Sequence, residues 1–126
     1  MKKILFCIYF LLMAINSGKA QANLVGTWKG TSICQVKNSP CHDEIVVYHI
    51  SKGEGVDSFT VRADKIVNGV EEDMGILHCK FESKTKQLTS NSYRSNWVFT
   101  LKDKTIDGTL YVQGTLYRII KVTKQD

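Results

Sequence analysis

The chain has 126 residues, a formal net charge of +5 and a hydrophobic share of 43%, as expected for a globular protein. This length favours one domain with one core. No segment carries the run of five or more basic residues that is typical of nucleic-acid binding, so we expect no nucleic-acid partner.

The first twenty residues have the three-part pattern of a secretory signal. Two lysines precede a twelve-residue apolar run from Ile4 to Ile15, and small residues lead to Ala20. We predict cleavage after Ala20. An uncleaved anchor is the weaker alternative, because crossing a membrane takes about 20 helical residues. Cleavage leaves residues 21–126, with 14 basic and 12 acidic side chains, as a periplasmic or extracellular domain without a membrane span.

Hydrophobic residues alternate with period two along almost all of the chain after Leu24, and no stretch shows a helical period. The links between strands are short and include Asn68-Gly69, the strongest hairpin signal, so neighbouring strands must run antiparallel. The pattern therefore predicts an up-and-down meander of about eight strands: 24–36, 44–51, 58–67, 70–82, 87–92, 97–102, 105–112 and 115–123.

Nearly every predicted strand has one apolar face, although in the second strand either Ile45 and Val47 or Val46, Tyr48 and Ile50 could form it. A sheet with one apolar face and no helix to cover it must close or fold onto itself. We predict an all-β barrel, with a two-sheet β-sandwich as the alternative. Eight strands enclose either a filled core or one small ligand. The candidate pocket residues are Tyr48, Phe59, Phe81, Trp97 and Phe99.

Arg118 lies on the apolar face of the last strand, and Trp28 lies on the first strand within "GTW". The first and last strands meet where a meander closes, so we predict that the Arg118 guanidinium covers the Trp28 indole. "GTW" together with this arginine resembles the Gly-x-Trp and closing-arginine pair of the calycins, the superfamily that contains lipocalins. The resemblance implies a lipocalin-like barrel, although the chain is shorter than a lipocalin and shows no helix before its last strand. The region from "GTWKG" to "VVYHI" also resembles small uncharacterised secreted bacterial proteins with lipocalin-like barrels.

Three cysteines follow the predicted signal, in a chain expected to meet an oxidising compartment. Cys34 and Cys41 flank a Pro-containing loop, so a bridge between them is the first choice. Cys79 would then be a buried thiol that behaves as a small hydrophobe. A bridge from Cys34 to Cys79 remains an alternative, since three cysteines allow three pairings.

The segment "CHDE", Cys41 to Glu44, offers four metal-ligand types in a row. Adjacent residues of an extended chain point in opposite directions and cannot all reach one ion. A surface site that adds His49 and His78 is the alternative, but we predict no metal site and no cofactor. We expect His42 to be solvated and Asp43 or Glu44 to accept backbone hydrogen bonds.

The sequence contains no recognisable catalytic motif, so we do not expect an enzyme. The first functional hypothesis is a monomeric barrel that binds a small, mostly apolar ligand. The alternative is a protein-binding or inhibitor module of the envelope or extracellular space. It would use the loop 37–43, with Lys37, Asn38 and His42, or the hairpin tip 51–57.

Overall fold

The computed structural model of the protein describes residues 21–126, so the predicted signal peptide lies outside the described residues. Within this range the chain forms eight strands. They are β1 (Gly26–Cys34), β2 (Glu44–Lys52), β3 (Ser58–Val67), β4 (Val70–Glu82), β5 (Gln87–Asn91), β6 (Ser95–Lys102), β7 (Thr105–Val112) and β8 (Thr115–Lys124). β3, β4 and β7 have the predicted bounds, and the other strands differ by a few residues at their ends.

The eight strands form one closed barrel in chain order. Every neighbouring pair is antiparallel, and β1 pairs with both β2 and β8. The predicted up-and-down barrel is therefore confirmed, and the sandwich alternative is excluded.

Turn chemistry explains the meander. Asn68 and Gly69 have φ angles of 53° and 80°, and Gln113 and Gly114 have 52° and 79°. Two consecutive residues with positive φ are what a two-residue hairpin of this twist requires. These turns return the chain directly onto its neighbour and leave no room for a crossover.

The barrel interior is an apolar core. The face of β2 that the sequence left open is settled: Val46, Tyr48 and Ile50 belong to the core cluster, whereas Ile45 is 50% exposed and the buried Val47 lies outside that cluster. Leu24 is buried as well, but it belongs to a helical turn at residues 21–24 and not to the first strand, where the alternation had placed it. No helix in residues 21–126 is long and apolar enough to cross a membrane.

Trp28 is fully buried where β1 meets β8. Its Nε1 donates a hydrogen bond to the Leu24 carbonyl at 2.9 Å. Lys124 is its register partner on β8, and the Lys124 Nζ lies 5.7 Å from the centroid of the Trp28 ring.

The predicted contact between Trp28 and Arg118 is therefore wrong, although the two strands do close the barrel. Arg118 pairs with Cys34, six residues further along β1, which corresponds to about 20 Å of strand. Alternation assigns a residue to a face of the sheet, but register also depends on where each strand starts.

β4 departs from the regular barrel in two ways. It has a bulge opposite the step from Ala63 to Asp64, where Met74 is the extra residue. It pairs with β5 only through Lys80, Phe81 and Glu82, so residues 70–79 have no ladder partner on that side within the described chain.

Candidate functional site

Four connections lie at one end of the barrel, which we call the disulfide end: 35–43, 68–69, 92–94 and 113–114. The connection between β1 and β2 carries the disulfide Cys34–Cys41, with Cα atoms 5.9 Å apart. The local pairing is thus confirmed, and Cys79 is a buried free thiol. The alternative bridge from Cys34 to Cys79 is excluded.

Arg118 ties this loop to the barrel. Its Nη2 lies 2.6 Å from the Glu44 Oε1, and the two side chains are only 12% and 20% exposed. Its Nη1 donates to the His42 carbonyl at 3.0 Å and to the Ser32 carbonyl at 3.3 Å. The cation on the apolar face of β8 therefore links this loop to β1 and β8, and the cation beside the Trp28 indole is Lys124.

Three side chains of "CHDE", those of Cys41, Asp43 and Glu44, have separate structural partners. Cys41 is in the disulfide, and the Asp43 Oδ1 accepts a hydrogen bond from the Cys34 backbone N–H at 2.9 Å. The Glu44 carboxylate pairs with Arg118, while its Oε2 is buried without a hydrogen-bond partner. The expectation that an acid of this segment accepts a backbone hydrogen bond is confirmed, and the His42 side chain is exposed as expected.

The five candidate pocket residues form two aromatic groups inside the barrel. Phe59 and Phe81 meet edge to face at 6.1 Å between centroids, at the end opposite the disulfide. Phe99 contacts Tyr48 at 5.7 Å and stacks on Trp97 at 5.9 Å. Burial raises the pKa of Tyr48, and the nearby negative charge of Glu44 adds to this rise.

Trp97 differs from the other four because it is only partly buried. Leu77 of β4 is also partly buried and packs against the same core. Both lie on strands adjacent to β5, and Leu77 belongs to the part of β4 that β5 does not pair with. The apolar interior is thus least covered beside Leu77 and Trp97, near the disulfide end.

The candidate interaction residues Lys37, Asn38 and His42 are exposed. Asn38 takes a left-handed backbone conformation with φ 58°. At the same end Tyr93 is 91% exposed, with the Arg94 guanidinium carbon 5.2 Å from its ring centroid. An exposed tyrosine beside an arginine has the composition of binding hot spots, which the alternation of hydrophobic residues does not reveal.

No family model matches this chain, and no curated protein matches it either.

Proposed function

We propose that this protein is an exported barrel that binds a small, mostly apolar ligand in the half of its interior next to the disulfide end. The observation that carries the proposal is the incomplete cover of Leu77 and Trp97 beside the unpaired stretch of β4. Ligand sites are commonly apolar concavities with a few polar groups that set orientation. Here the hydroxyl of Ser90, the buried register partner of Trp97, is a polar group beside this part of the interior.

The packing limits the size of the ligand. Phe59, Phe81 and Leu88 are almost completely buried and fill the other half of the barrel. We therefore expect a compact ligand or one end of a longer chain, in contact with the ring pair Trp97 and Phe99.

Export is part of the proposal. The signal-like N-terminal sequence supports it, and so does the disulfide Cys34–Cys41, since such bonds persist mainly in oxidising compartments. A relation to the calycins is likewise proposed, supported by the eight-stranded closed meander and the "GTW" sequence of β1.

The test is a titration of the purified protein with retinol and palmitate, followed by tryptophan fluorescence, together with native mass spectrometry. We expect saturable quenching in the wild type and a loss of affinity of about tenfold in Leu77→Asn, whose new amide faces the interior. Ile76→Asn is the matched control, because Ile76 is the preceding residue of β4 and is 56% exposed. Absence of both a co-purifying ligand and saturable quenching would reject the proposal.

The second candidate is a protein-binding module, favoured by the rigidity of the disulfide end. The disulfide, the Asp43 hydrogen bond and the Arg118 contact to the His42 carbonyl all restrain the loop 35–43. A loop held in this way loses little conformational entropy when it docks.

The corresponding test is capture of proteins from an extracellular or periplasmic extract by the immobilised protein. The test variant replaces Lys37, Asn38 and Tyr93 with alanine. Lys84→Ala, in the turn between β4 and β5 at the opposite end, is the control. The module hypothesis requires a captured partner that the triple variant loses and the control retains; equal capture by both variants rejects it.

A further inference from the structure

Three side chains from three consecutive strands meet on the outer surface of the barrel. They are His49 of β2, Asp64 of β3 and Glu71 of β4, and one ligand atom from each lies within 4.8 Å of the other two. The His49 Nε2 is 3.1 Å from the Glu71 Oε1 and 3.4 Å from the Asp64 Oδ2. We call these residues the outer cluster.

The bulge in β4 brings Glu71 to this surface. Ala63 faces Gly75, but Asp64 faces Asp73, so Met74 is passed over. Since facing residues of a sheet point to the same side, odd-numbered residues of β4 point inward after the bulge and outward before it. Without the extra residue, Glu71 would point away from Asp64.

Asp64 supplies an independent sign of a bound cation. Its side chain is only 3% exposed, and its Oδ1 is buried with no hydrogen-bond partner. A buried carboxylate with an unused oxygen is costly unless a positive charge compensates it. The carboxylate faces His49 through its other oxygen, Oδ2.

The distances suit a transition metal. Zinc bonds of 2.0–2.2 Å in a tetrahedral arrangement place neighbouring ligand atoms about 3.3 Å apart. Both distances from the His49 Nε2 are already close to this value.

One imidazole and two carboxylates favour a first-row transition metal over Ca²⁺ or Mg²⁺, which take oxygen ligands only. The Thr27 Oγ1 lies 3.3 Å from the His49 Nδ1, where it can accept a hydrogen bond from the Nδ1–H and so hold the tautomer whose Nε2 is free to bind a metal.

We propose that the outer cluster binds a divalent transition metal such as Zn²⁺, with His49, Asp64 and Glu71 as ligands and a fourth position open to water. This proposal revises the sequence prediction of no metal site; it uses His49 but neither His78 nor the "CHDE" segment. It is independent of the ligand and partner proposals, because the outer cluster lies on the opposite side of the sheet from the interior.

Arg62 is the competitor of the metal. Its Nη2 lies 3.0 Å from the Asp64 Oδ2, so the guanidinium already neutralises part of the charge. Its side chain is 51% exposed, which leaves it room to turn towards solvent when a metal binds. Removing Arg62 should therefore strengthen metal binding, whereas an ion-pair network without a metal would simply be weakened.

The test is calorimetric titration of Zn²⁺ into untagged protein, with Co²⁺ absorption as a second readout. We expect one ion per chain and a loss of affinity of about tenfold or more in His49→Gln and in Glu71→Gln. His78→Gln and Glu72→Gln are matched controls, as an exposed histidine and an exposed acid of the same strand, β4, and should bind like the wild type. Arg62→Ala should bind more tightly.

Three results would overturn the proposal: no saturable binding of Zn²⁺, equal losses in the control variants, or unchanged or weaker binding in Arg62→Ala. Circular dichroism of each variant separates loss of metal from loss of fold. His49→Gln and Glu71→Gln replace partly exposed side chains, so both should remain folded.

Discussion

Arg118 and Glu44 form an ion pair inside the mouth of the barrel, with their Nη2 and Oε1 atoms 2.6 Å apart. The pair joins the end of the loop 35–43 to the last strand, and the same guanidinium reaches the carbonyls of Ser32 and His42. Because both side chains are mostly removed from water, neither charge is well solvated without the other.

Replacing Arg118 with methionine should lower the free energy of unfolding by about 2 kcal/mol, because the Glu44 carboxylate would stay buried without its cation. The double variant Arg118→Met with Glu44→Leu should recover much of this loss, since an apolar pair needs no solvation. Urea denaturation of the wild type, the two single variants Arg118→Met and Glu44→Leu, and the double variant gives the coupling energy. A midpoint for Arg118→Met equal to that of the wild type would contradict the role assigned to the pair.

The cation over Trp28 should matter much less than the indole itself. Lys124→Met should cost less than about 1 kcal/mol, the range of an exposed cation–π contact. Trp28→Phe should cost about 3 kcal/mol, because it removes buried volume and leaves the Leu24 carbonyl without its donor. Thermal unfolding of the two variants tests this order. A larger loss of stability in Lys124→Met than in Trp28→Phe would contradict it.

Gly30 allows β1 and β8 to approach closely. A Cβ at this position would lie 1.9 Å from the Lys121 carbonyl oxygen and 2.7 Å from the Val122 Cα, both of them backbone atoms. Gly30→Ala should therefore destabilise the protein by about 3 kcal/mol or more, because the backbone at the closing strands must move. Gly55→Ala is the control, since its Cβ would lie 3.6 Å from the nearest atom, the Ser58 Cβ. Equal chemical denaturation midpoints of the two variants would show that the short distance between β1 and β8 does not require a glycine at position 30.

The disulfide closes a small ring and should contribute about 2.5 kcal/mol by the chain-entropy relation. Replacing Cys34 and Cys41 by serine should lower the unfolding midpoint accordingly, while the barrel remains folded in far-ultraviolet circular dichroism. The contacts of Asp43 and Arg118 to the loop remain in this variant, so we expect its amide signals to stay dispersed. A disordered loop in nuclear magnetic resonance spectra would show instead that the disulfide alone holds it.

Burial raises the pKa of the Cys79 thiol to about 12. The folded pKa lies above the ordinary value of 9.0, so the stability from the protonated thiol is present below about pH 9 and is lost as the pH rises towards 12. In the native protein, no thiol of residues 21–126 should therefore react with Ellman's reagent at pH 8. One thiol equivalent should react once the protein is unfolded. Rapid reaction of the native protein would contradict the burial of Cys79.

The strand pattern was predictable because one-sided burial imposes period two on every strand and short turns impose the order of the strands. The contacts between residues that face each other on neighbouring strands were not predictable, because register depends on the turns, on strand starts and on bulges. Trp28 and Arg118 were assigned correctly to the closing strands, yet their partners are Lys124 and Glu44. The outer cluster was missed for the same reason, since the extra residue at Met74 reverses the outward side of β4 and nothing in the local alternation marks it.

β4 and β5 are paired through only three residues of each strand, so we expect this to be the least stable strand boundary of the barrel. Fewer residues are paired across it than across any other strand boundary in residues 21–126. Local opening with a low free energy should begin there, so the amide protons of Lys80 and Glu82 should exchange with deuterium sooner than those at the junction of β1 and β8. A barrel that opens only between two strands can admit a molecule to its interior without unfolding, and the two strands can then pair again.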